Sequence, residues 1–159
     1  MNEREFFQAR RKAEKEIFLR VLRAIPEGKL DYKPHERSPT ALQILTTLVA
    51  EHDSCARLAA TGKTSFSPVP LKSVAEAVAA FERNWDELDR SVAAMDESAW
   101  NKSGQFVSAS KVSEQPIGGF LWFILFDAIH HRGQLSTYIR PMGGKVPAIY
   151  GPSGDSRQG

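Results

Sequence analysis

The 159 residues favour one domain, expected over 1–159, and are enough for a single hydrophobic core. With 42% hydrophobic residues, 25% charged residues and a formal charge of +2, the make-up is that of an ordinary soluble globular protein, and it offers no electrostatic case for nucleic acid or an anionic membrane. One cysteine excludes an internal disulfide framework and a Cys-rich zinc site, and the longest apolar run is about half the roughly 20 residues of a membrane span.

The N-terminal stretch MNEREFFQARRKAEKE has no apolar segment of signal-peptide type, so a cytoplasmic protein is expected. Asn2 to Ile25 read as a first helix, with Phe7, Ile17, Val21 and Ile25 on one stripe and Phe18 and Leu22 beside it. Pro26 and Gly28 stop it. Leu30 to Pro39 is a connector in which Tyr32 is expected to plug the bundle end and His35 to lie on the surface. A second helix starts near Ser38-Pro39-Thr40, a polar cap with proline in the first turn, and ends at Gly62. Leu42, Leu45, Leu48, Val49, Ala56 and Ala59 share its apolar face, and His52 falls on that stripe one turn after Leu48. After a loop over Thr61 to Pro70, a third helix carries Leu71, Val74, Val78, Phe81, Trp85, Leu88, Val92 and Met95 at spacings of three and four, a packing seam.

Met95 to Pro116 is serine-rich and reads as a loop with a short extended piece around Phe106-Val107; its length makes it a candidate wall or lid of a pocket. A fourth helix runs from about Ile117 to Tyr138 or Arg140, and 140–159 form an extended tail. No strand-period segment of any length is seen, so the expected fold is all-α, a four-helix bundle.

The chemistry concentrates in the fourth helix. Phe120 to Ile129 is apolar at every position except Asp127, which predicts a helix buried nearly all round. A carboxylate buried there without a partner costs several kcal/mol, on the order of the desolvation of one ion, or gives up its charge. Asp127 and His131 are four apart and lie on one helix face, while His130 lies on a neighbouring face. Two ligands at i and i+4 plus a third from a facing helix build a metal site in a bundle, and His52 is the natural third. A set of His52, Asp127 and His131 leaves coordination positions open and suits zinc, nickel, manganese or iron. The other reading of the same residues is a buried hydrogen-bonded network around Asp127. Cys55 lies one turn after His52 but reads as a small buried thiol. There is no Walker loop, no GxGxxG and no GxSxG.

HHRGQL at 130–135, followed by YIRPMGGKVPAIYGPSGD, resembles the C-terminal signature of the DinB-like (DinB/YfiT) proteins. The early IPEGKLDYKPHERSPT and the AEH ending at His52 fit as well, so the resemblance covers nearly the whole chain. It implies an up-up-down-down four-helix bundle with one long crossover, often a homodimer. It also implies a divalent metal, zinc or nickel most often, held by three histidines. Family activities of this kind are metal-dependent thiol transfer with bacillithiol or mycothiol, and hydrolysis. Its partners would be a small-molecule substrate or a thiol. The chain departs from that pattern at two ligand positions: Leu48 and Asp127 stand where histidines usually do, and only His131 matches. The expectation is a site rebuilt one turn along on His52, Asp127 and His131. The alternative is a metal-free dimeric bundle that binds a small ligand among aromatics such as Trp85, Trp122 or Phe126.

Overall fold

In chain order the elements are α1 (Glu3–Arg23), a 3-10 turn (Glu27–Lys29), α2 (Ala41–Thr61), β1 (Lys63–Ser65), α3 (Val74–Ala93), α4 (Glu97–Asn101), β2 (Ser103–Ser108), β3 (Lys111–Pro116) and α5 (Ile117–Ile139). This computed structural model describes residues 1–109 and 111–156. The chain is mostly helical, with a small sheet ordered β1-β2-β3 in which β1 is parallel to β2 and β2 antiparallel to β3.

The helix ends follow from local chemistry. The Asn2 side chain accepts from the Glu5 N–H at 2.9 Å, and the Glu5 carboxylate accepts from the Asn2 N–H at 3.0 Å, closing a capping box on α1. Thr40 and Gln43 close the same box on α2. Gly62, with φ of 76°, takes the left-handed conformation that ends α2. The third helix is shorter than its seam: Ser73 caps α3, so Leu71 and Met95 are buried from outside the helix. Tyr32 does pack at the bundle end, edge-on to Tyr138 at 5.5 Å between ring centroids.

The sheet departs from the all-α expectation. Nearly all of β3 is exposed, and in β2 only Gly104 is fully buried, with Phe106 packed on Phe120 of α5. A sheet that buries so little needs no alternating apolar pattern, so periodicity did not reveal it. Part of the expected loop is instead α4, whose Trp100 is buried against α5. A Cβ at Gly118 would come within 2.2 Å of that indole, so only glycine lets the two helices meet there.

The α5 surface departs as well. It is not buried all round: Phe123 and Phe126 are 64% and 62% exposed. Its inner face packs on α1 and α2, and α2 and α1 both pack on α3. Arg132 points inward, donating to the Glu14 carboxylate of α1 at 2.6 Å, and both side chains are fully buried. Arg10 also pairs with Glu14. The Tyr150 hydroxyl accepts from Arg132 at 2.6 Å and donates to Glu14 at 2.9 Å, which fastens the C-terminal segment onto the helices.

Burial alone would raise the Glu14 carboxyl, but the bonds from Arg132 and Tyr150 and the charge of Arg132 outweigh it, and the net shift is downward. A carboxyl depressed in the folded state stabilises fully above its unfolded value, about 4.3, and that stability is lost as pH falls through the lower folded value. Arg132→Met leaves Glu14 buried without its main partner and should cost about 3–5 kcal/mol in urea denaturation at pH 7. Because Glu14 is then less depressed, the variant should lose less further stability as pH falls from about 5 to about 2, across the carboxyl range. Parallel acid limbs for the two proteins would refute the assignment.

Candidate metal centre

Glu51 of α2 meets Asp127 and His131 of α5, one ligand atom from each lying within 4.8 Å of the others. His131 Nε2 is 3.7 Å from Glu51 Oε1 and 3.9 Å from Asp127 Oδ2. Its other ring nitrogen, Nδ1, is 2.7 Å from the Gln134 side-chain oxygen. With Nδ1–H donating to Gln134, the Nε2 lone pair faces the two carboxylates, an arrangement that orients a metal-binding imidazole.

Glu51 is the anomaly of the site. It is buried, and among the described residues its Oε2 has no hydrogen-bond partner. Burial first, and then the neighbouring Asp127 carboxylate, push the Glu51 carboxyl up to about 9. Two carboxylates and an imidazole lone pair converging with one oxygen unanswered make a donor set that a cation would satisfy. The residues present therefore fit a divalent ion.

Beside this group opens a cavity of about 550 Å³. Phe66, Phe106, Phe120, Phe123 and Ile124 form much of its wall, and Glu51, Asp127 and His131 line one part of it. Phe106 and Ser113 are paired across β2 and β3, so the segment read as a candidate wall or lid supplies part of the cavity wall as a hairpin.

The structure brings together Asp127 and His131 of the expected set but not His52. His52 is fully buried, stacked on Trp85 at 4.9 Å between centroids with Phe81 at 4.5 Å, and its Nδ1 donates to the Leu48 carbonyl at 2.9 Å. Burial, then the charge of Arg11, push its imidazole down to about 3. The reason lies in helix rotation. His52 shares the face of Leu48, and that face packs on α3, whereas Glu51 is turned about 100° away toward α5. Unlike Asp127, Glu51 is no lone carboxylate in an apolar run, since His52 and Asp53 follow it directly, and the local sequence did not single it out. Asp127 itself is less buried than expected, its side chain 41% exposed, because the outer surface of α5 is open.

The remaining candidates take no part in this group. His35 is exposed, with Nδ1 accepting from the Arg37 N–H at 3.2 Å. His130 is exposed beside His131, and burial pushes the Cys55 thiol up to about 12. A Cβ at Gly133 would meet nothing within 4 Å among the described residues, so that glycine serves no close helix approach there.

This chain belongs to the DinB family, whose pattern it matches over residues 1–158. A solved DinB-like protein from Bacillus subtilis is similar at a TM-score of 0.72 and 14% sequence identity, over 92% of this chain and 99% of that one. A mutant of the mycothiol-dependent maleylpyruvate isomerase is similar at a TM-score of 0.52 and 14% identity, over 91% of this chain and 62% of that one. At such identities the likeness is one of fold. No curated protein sequence matches the chain. Among the described residues no helix is long and apolar enough to cross a membrane.

Since His52 fills core space against two aromatic rings, His52→Ala should cost about 2–4 kcal/mol of stability, as core truncations do. Chemical denaturation reads this directly, and a loss under about 0.5 kcal/mol would show that the stacking is not a packing contact.

Proposed function

We propose that this is a metal-dependent enzyme of the thiol transferase or hydrolase class, with Glu51, Asp127 and His131 holding one divalent ion beside the cavity. The observation that carries the reading is the buried, unpartnered Glu51 oxygen facing a second carboxylate and a histidine. Two carboxylates and one imidazole are harder donors than three histidines, which favours zinc, manganese or iron over nickel. A divalent ion there supplies Lewis acidity and lowers the pKa of a bound water or thiol. The chain's own part is positional. Gln134 holds the His131 ring, Glu51 holds its carboxyl out of bulk water, and the phenylalanines give the cavity an apolar wall. A single bundle domain of up-up-down-down topology and a cytoplasmic location complete this reading.

Calorimetric titration of chelator-treated protein, purified without an affinity tag, should find one ion per chain. Glu51→Gln and Asp127→Asn should each weaken binding at least about tenfold, and ion at 100 times its Kd should stabilise the wild type by about 2.7 kcal/mol. No heat of binding and no thermal shift on chelation would end the metal reading. His52→Ala should leave ion affinity within about threefold.

We further propose a homodimer formed through the outer stripe of α5. The stripe's support is the pair of exposed phenylalanines, with Phe126 stacked on Trp122 at 5.6 Å and Trp122 packed on Phe6. Sedimentation should report a dimer at micromolar concentration that Phe126→Asp converts to monomer; a wild-type monomer would refute it.

A further inference from the structure

The cavity's wall carries information about what enters it. Four of its lining residues are phenylalanines, Phe66, Phe106, Phe120 and Phe123. Three more are acidic, Glu51, Glu114 and Asp127, and among the described lining residues there is no lysine or arginine. A divalent ion at the metal centre would have its formal charge matched by Glu51 and Asp127; its open coordination positions would still accept an anionic atom, but the wall away from the ion would keep its own negative character. Glu114, bonded through its carboxylate to the Gln105 amide at 2.6 Å, still contributes negative potential. Aromatic faces attract cations and apolar rings alike, because the ring quadrupole presents its negative side. A cavity of about 550 Å³ is within the usual size range of small-molecule sites.

We propose that the cavity selects an uncharged or cationic small molecule bearing an aromatic ring or branched apolar group, and discriminates against carboxylates and phosphates. This deepens the proposed function and rests on it for the identity of the reactive end. The polar groups on the sheet side, Ser108, Ser113 and Gln115, offer neutral hydrogen-bonding groups to the ligand's polar part. Anionic discrimination then comes from an uncompensated carboxylate rather than from a steric block.

The test uses three probes of nearly one shape: benzyl alcohol, benzylamine and benzoate, at pH 7. Each is titrated into isotope-labelled full chain while backbone amide shifts are followed, first in chelator-treated protein and then with zinc. On the chelated chain the alcohol and the amine should shift the amides around Phe106, Ser113 and Ile124. Benzoate should bind at least about tenfold more weakly, a difference of about 1.4 kcal/mol. Phe66→Ala removes a half-buried ring outside the core and should weaken the alcohol and the amine about three- to tenfold. Ser113→Lys, which places a cation on the sheet wall, should narrow or reverse the preference against benzoate. Benzoate binding as tightly as benzyl alcohol to the chelated wild type, or shifts confined to residues away from the cavity, would overturn the proposal. A selective probe series in a chain that binds no ion would support the cavity assignment and reject the metal centre. An ion bound without that selectivity would reject the cavity assignment alone.

Discussion

The buried pair of Arg132 and Glu14 sets the rotation of α5, and the candidate site follows from that rotation. Successive residues on an α-helix are turned by about 100°. With Arg132 committed to α1 and bonded to Glu14 at 2.6 Å, His131 faces α2, and Asp127 follows it from the preceding turn. A fully buried guanidinium left without its carboxylate would cost several kcal/mol, about 3–5 in comparable pairs, so neighbouring rotations of the helix are strongly disfavoured. Tyr150 bonds to both members and ties the C-terminal segment into the same arrangement. A pair 118 positions apart in the chain thus aims a histidine whose own side-chain partners are Gln134, Glu51 and Asp127.

Glu51 presents the opposite economy. Where Glu14 is buried with its charge answered, Glu51 is buried beside another acid with one oxygen unanswered. The two glutamates show how environment alone separates residues of the same chemistry: one carboxyl lies below the ordinary range and the other is raised to about 9. A structural carboxylate has a partner built for it, as Glu14 has. One held ready for a ligand is left short of a partner, and that contrast within a single chain is the physical basis for reading the α2–α5 contact as a binding site.

The long helices were legible because their signals are local. Asn2, Thr40 and Ser73 cap where polar residues precede apolar stripes, and Gly62 ends α2 where a left-handed residue is needed. Of the sheet only the extended piece at Phe106-Val107, now part of β2, was legible, since the strands face solvent on most positions and pair through backbone atoms that composition does not reveal. Within the site, Asp127 and His131 were found from their spacing on one helix, a relation fixed by geometry within α5. The third member required knowing which side of α2 faces α5. His52 and Glu51 are adjacent in sequence, and nothing local says which turns toward α3 and which toward α5. That choice is made by packing: Trp85 and Phe81 give an imidazole a flat apolar surface to stack on, and Leu48 offers its carbonyl.

The division of labour between helices and sheet has a consequence for how the site would change. Glu51, Asp127 and His131 sit on two long helices whose packing also builds the core, so moving one of them disturbs buried neighbours. Much of the other cavity wall comes from Phe66 and the β2–β3 hairpin, where most side chains are exposed or half-exposed and the register is held by backbone pairing. Substitutions there alter size, polarity and charge at small cost in stability, because surface strand positions contribute little to the core. The candidate ligand group is therefore held by the most constrained part of the molecule and much of the cavity wall by its least constrained part. A fold arranged this way can keep one cluster of carboxylates and imidazole while the cavity beside it is reshaped by a few residues of the hairpin.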